Sequence, residues 1–234
     1  MKQFKPSAKF SELMDVTVPK GQLFYPCCGH DTMYPLWLFK GMIHTFHFAD
    51  PNRIALPNVE NLSDFNERPD QITTQDTLDK QLYIVRQKST PSYYIERWEQ
   101  RDSKKRMDVF SHLSDGANVL ENLKSISIFF YRGDSIGEGG SGIMWFGPEL
   151  FNKVLDKLVD GGLIITDGSN PDKKHLLTKW KSLYEHSHWD FPDLKEGEKP
   201  ANFTYDWKKF TCIGKIGERY GDVYVWQVHN ISKY

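Results

Sequence analysis

At 234 residues, with 39% hydrophobic and 26% charged residues and a formal net charge of −1, the chain has enough apolar content for one sizeable core. Its near-neutral balance argues against a nucleic-acid binder that works through a broad positive surface. Three Cys, two of them adjacent, exclude a disulfide framework, and with no signal-peptide-like start and no apolar run near the roughly 20 residues of a membrane span, a soluble cytoplasmic protein is expected.

In chain order, a short helix is expected at Ala8–Met14, then a strand at Leu23-Phe24-Tyr25 that Pro26 halts. The loop Pro26-Cys27-Cys28-Gly29-His30-Asp31 leads into a helix from Thr32 to Lys40, with Met33, Leu36, Trp37 and Phe39 on its apolar side. Ile43 to Ala49 alternates as a strand and ends at Asp50-Pro51. Strand, turn, helix, strand and acid form the opening of a nucleotide-type βαβ unit. Residues 52–80 are polar and uninformative. Leu82–Lys88 and Tyr93–Glu99 then alternate like strands, and the turn Arg101-Asp102-Ser103-Lys104 predicts a hairpin with Arg106–His112. A single domain over 1–234 is expected, with 52–110 as an irregular hairpin insertion.

Asn118–Leu123 reads as a short helix and Ser125–Tyr131 as a buried strand. Arg132 to Gly142 is polar and glycine-rich. Leu150, Phe151, Val154, Leu155, Leu158 and Val159 give a helix over Pro148–Val159 one apolar face, with Pro148 in its first turn and Gly161-Gly162 as its stop. Leu163–Thr166 is a buried strand, a helix is expected over Lys173–His186, and the strands Lys209–Lys215 and Val223–His229 close the chain. The last connector is too short for a crossover, so the final two strands must be antiparallel. The fold class is therefore α/β: a three-layer, mostly parallel twisted sheet with an antiparallel C-terminal hairpin.

In that element order the chain resembles the class I S-adenosylmethionine-dependent methyltransferases from about Leu23 to His229. Leu155–Thr166, ending Leu-Val-Asp-Gly-Gly-Leu-Ile-Ile-Thr, resembles the family's helix, Gly-Gly turn and fifth strand. The resemblance implies S-adenosylmethionine as cofactor, held by the first loop (Tyr25, Pro26, Cys27, Gly29 and Asp31). It implies that Asp50 holds the ribose hydroxyls and that Asp115 contacts the adenine amine. Arg132, Asp134 and Glu138 follow the fourth strand, where acceptor-handling residues fall, and Glu138–Gly142 offers a loop over an acceptor. Trp145 either lines that pocket or packs in the core.

The loop departs from the family's acid followed by Gly-x-Gly-x-Gly, because Gly29 is its one glycine. A second reading is therefore a non-catalytic protein that keeps the fold without the cofactor and serves as a binding or immunity-type partner. A third gives Cys28 or His30 nucleophilic chemistry. No metal site is expected, since adjacent Cys suit a tetrahedral zinc poorly and no second Cys/His cluster completes one. His44 and His47 fall on opposite faces of one strand. Lys104-Lys105-Arg106 reads as a solvated turn. A small-molecule acceptor is the expected partner.

Overall fold

The computed structural model describes residues 10, 14–29, 31–51, 82–89, 93–100, 105–132, 141, 143, 145–166, 202–218 and 221–231. They fall into two compact units, one from Phe4–Val16 with Lys20–Asn122 and one from Thr17–Pro19 with Leu123–Tyr234.

In the first unit the apolar run after Gly21 forms β1 (Gln22–Pro26), buried from Leu23 onward. A crossover through α1 (Met33–Phe39) returns the chain as β2 (Thr45–Ala49), parallel to β1 with Phe24 opposite His47. The helix is only seven residues long, and Tyr34 through Phe39 are all buried. An expected apolar stripe is thus an apolar cylinder, the mark of a helix enclosed on all sides. Phe10 packs on Phe39 at 5.0 Å between ring centroids, and Met14 N–H donates to Phe10 O at 2.9 Å. The rest of the expected Ala8–Met14 helix lies outside the described residues.

Three further strands follow, β3 (Leu82–Ser89), β4 (Tyr93–Gln100) and β5 (Arg106–His112), and then α2 (Gly116–Asn122). β3, β4 and β5 form an antiparallel meander, and β5 then lies parallel to β2, giving the order β3-β4-β5-β2-β1. The expected antiparallel pairing with Arg106–His112 is therefore present as β4–β5, and the turn 101–104 lies outside the described residues. This pairing delivers the next parallel strand.

The second unit begins with β6 (Ile126–Tyr131), all six residues of which are buried. Burial on both faces explains its apolar run, interrupted by the buried Ser127. After α3 (Pro148–Lys157) comes β7 (Leu158–Thr166), parallel to β6, and then β8 (Asn202–Tyr205), β9 (Lys208–Glu218) and β10 (Gly221–Asn230). The order is β6-β7-β10-β9-β8, with β10 antiparallel to both β7 and β9. Antiparallel C-terminal strands were expected; the outer strand β8 was not. The helix expected over Lys173–His186 lies outside the described residues.

The helix stop differs from the sequence reading. The chain leaves α3 at Leu158 (φ −73°, ψ 122°), whose N–H donates to Val154 O, and Gly161-Gly162 lie inside β7. Leu158 pairs with Ile126, so strand pairing ends the helix before the glycines are reached. Two steps along β6, from Ile126 to Ile128, correspond to five along β7, from Leu158 to Leu163. The glycines absorb that excess. Gly161 sits at φ +73°, and a Cβ on Gly162 would lie 2.8 Å from the Val159 carbonyl oxygen. Gly162→Ala should destabilise the protein by about 1–3 kcal/mol through this overlap with backbone. A lower urea midpoint at unchanged m-value would show it.

Candidate active site

The carboxyl ends of β1, β2 and β5 are adjacent in one parallel stretch of sheet, the position where open α/β sheets bind ligands. Two sequence features meet there, the loop after β1 and Asp50. After β1 the backbone turns through Cys27 at φ 52° and Gly29 at φ 51°, both in the left-handed region. For Cys27 that conformation costs roughly 1–2 kcal/mol, and it persists because the loop is tied at several points. Asp31 N–H donates to Cys28 O at 2.8 Å, Tyr25 Oη–H donates to Asp31 Oδ2 at 3.0 Å, and Gly29 N–H donates to Asp50 Oδ2 at 3.1 Å. Tyr25 is itself buried, edge-on to Phe48 at 6.3 Å.

The one glycine of the loop has no described atom within 4 Å of where an added Cβ would stand. A ligand atom can approach the backbone at that point. Asp50 follows β2, and its own N–H donates to His112 O at 3.1 Å, so the three strand ends are stitched together by backbone and carboxylate bonds. Asp115 caps α2: its Oδ1 accepts from Ala117 N–H at 2.7 Å. Both carboxylates assigned to the cofactor thus also serve the local fold.

Cys28 is 3% exposed. Burial, followed by the nearby Asp50 and Asp31 carboxylates, holds its thiol well above the ordinary cysteine range. A neutral buried thiol is a poor nucleophile, so in this closed loop Cys28 is not poised for the chemistry of the third reading. His30 lies outside the described residues. Among those described, no three His, Cys, Asp or Glu residues are grouped to hold a metal ion.

A pair that sequence reading missed stands beside Asp50. His47 Nδ1 and His112 Nε2 share a hydrogen bond at 3.0 Å, and His47 stacks on Phe110 at 4.8 Å. Burial and the neighbouring His112 lower the His47 pKa to about 3; burial lowers that of His112 to about 4. Both rings are neutral at physiological pH, one donating and one accepting. The alternation Phe110, Ser111, His112 put Phe110 and His112 on one face, but nothing in sequence brings that face to His47. His44 points elsewhere, its Nδ1 3.0 Å from Arg106 O.

In the second unit, Arg132 follows β6 with its guanidinium carbon 5.9 Å from the centre of the Phe130 ring. Asp134 and Glu138 lie outside the described residues. Trp145 is fully buried, 5.8 Å from Phe129 between ring centroids. It is a core residue.

Parallel strands joined through short helices, together with antiparallel C-terminal strands, define an α/β protein. No protein-family model and no curated protein matches the chain. Among solved structures it is similar to an rRNA methylase from Streptococcus thermophilus, at 9% sequence identity and a TM-score of 0.38, over 95% of this chain and 93% of that one. A likeness that loose carries no weight for substrate or activity. No described helix is long and apolar enough to cross a membrane.

Proposed function

We propose that this chain is an S-adenosylmethionine-dependent methyltransferase acting on a small-molecule acceptor. The observation that carries the reading is the loop after β1, left-handed at Cys27 and Gly29 and closed onto the acid that follows β2, with no described atom against the Cβ position of Gly29. Tyr25, Pro26, Cys27, Gly29 and Asp31 would cradle the methionine end of the cofactor, Asp50 the ribose and Asp115 the adenine amine. When bound, the cofactor supplies a sulfonium-activated methyl group. Arg132, Asp134 and Glu138 would orient the acceptor, and orientation is most of what such a transfer asks of the protein.

Thermal unfolding with S-adenosylmethionine or its demethylated product tests the reading. Ligand at a hundred times its dissociation constant should stabilise the fold by about 2.7 kcal/mol. An unmoved melting temperature at millimolar ligand would sink it. Asp50→Asn keeps an acceptor for Gly29 N–H but loses the charge and one acceptor site. It should fold normally and weaken cofactor binding roughly ten- to a hundredfold, the loss expected for a charged hydrogen bond. Unchanged affinity in calorimetry would rule out the ribose role.

One observation favours the second reading, a non-catalytic protein that binds another partner. Gly29 N–H and Asp50 Oδ2 are committed to each other, and Asp115 Oδ1 to Ala117 N–H. If neither nucleoside ligand shifts the melting temperature, both carboxylates serve the fold and not a nucleoside cofactor.

A further inference from the structure

The His47–His112 pair has no role in the reading above, yet it is joined to the loop by consecutive bonds. His112 O accepts from Asp50 N–H at 3.1 Å, Asp50 Oδ2 accepts from Gly29 N–H at 3.1 Å, and Ala49 O, opposite His112 in the sheet, faces Cys28 N–H at 3.4 Å. We propose that the pair is an acid-operated latch on this loop: neutral, the two rings hold the carboxyl ends of β2 and β5 together, and protonated, they part and release Cys28 and Gly29.

The pair can share its hydrogen bond only while one ring nitrogen at the contact lacks a proton. Two imidazolium ions present a donor to a donor, and like charges 3.0 Å apart repel. Among the described strands, the register positions that face the pair carry no acidic residue. Across β1 the facing register position is Phe24, and the ring stacked on His47 is Phe110. On β5, Asp108 stands opposite Thr45, one layer from His47 towards the amino end of β2. On β4 the register positions opposite His112 and Phe110 are Tyr93 and Ile95, neither acidic. The carboxylate nearest in the bond chain, Asp50, is turned to Gly29 N–H. Histidine is the side chain whose ordinary titration range makes such a device operate at mildly acidic pH. The latch does not depend on what the loop binds.

Cys28 is the built-in reporter, since it is buried in the latched loop while Cys212 is half-buried in the other unit. The whole protein is labelled with a dipyridyl disulfide, which reacts with thiols in acid, and modified cysteines are counted by peptide mass spectrometry. From about pH 7 to about pH 4.5 the Cys28-to-Cys212 labelling ratio should rise, by up to about tenfold per pH unit for each proton taken up on opening. Near-ultraviolet circular dichroism should stay native over that range. In His112→Gln, whose amide can still bond His47 but takes no proton, the rise should be blunted; His47→Asn should act alike. A flat ratio in the parent overturns the latch. So does a rise that persists in both variants, or one that coincides with loss of the dichroism signal, which would make it global acid unfolding. None of these outcomes bears on the cofactor titration.

Discussion

Acidification from about pH 6.5 to about pH 5 is expected to cost about 2 kcal/mol of folding stability through His47 alone, at roughly 1.4 kcal/mol per pH unit. In the folded protein its pKa is held down at about 3 by burial and by His112, against 6.5 for a free histidine. Between those values the unfolded chain binds a proton that the native one does not, so stability rises with pH. The contribution is fully present above about pH 6.5 and is lost progressively below it. His112, held at about 4, adds in the same direction. Its share is smaller, because partial exposure lets solvent screen the charge. Carboxylates stay largely ionised above pH 5, so that window isolates the histidines. Urea midpoints measured across it for the parent and for His47→Asn should diverge in slope. Parallel slopes would mean that the pair is not buried as a neutral couple.

Phe146→Ala is expected to be the most damaging single truncation in the second unit, at about 3–5 kcal/mol. The ring is fully buried and stands edge-on to Tyr131 at 5.4 Å, to Phe151 at 5.5 Å and to Phe129 at 5.9 Å. It thereby joins β6 to the first turn of α3. Phe151 continues the cluster to Tyr205 at 5.9 Å and Phe210 at 6.1 Å, on the antiparallel strands. Phe146→Leu keeps most of the volume but loses the edge-to-face geometry, worth about 0.5–1.5 kcal/mol per pair. It should fall between parent and alanine variant in a denaturant series. If Phe146→Ala costs under about 1 kcal/mol, the aromatic cluster is not the organising core of this unit.

The candidate site was legible in part. Asp50 and the Tyr25–Asp31 loop could be placed because they depend on local order: an apolar run, a break at Pro26, a helix and a second run ending in an acid. The bonds that give them meaning, Gly29 to Asp50 and Tyr25 to Asp31, join residues 21 and 6 positions apart and follow once the strands are parallel neighbours. The histidine pair was not legible. Its partners are 65 positions apart on strands adjacent only through the sheet order.

By itself the sequence determined the type of most elements and the antiparallel close of the chain. Alternation, apolar periodicity and connector length are local properties, and they sufficed for β4–β5 and for β9–β10. Tertiary structure decided where elements end and which strands meet. Leu158 belongs by periodicity to a helix, yet pairing with Ile126 draws it into β7 and leaves Gly161 and Gly162 to absorb the mismatch. β8 escaped notice because its turn to β9 is Asp206-Trp207, held at φ 43° and 61°. Turn chemistry leads one to look for Asn-Gly at such positions, since a bulky side chain pays in strain there. The hydrogen bonding of β8 to β9, from Asn202–Thr211 to Tyr205–Lys208, and the Ile231 N–H bond to Trp207 O at 2.9 Å override that preference.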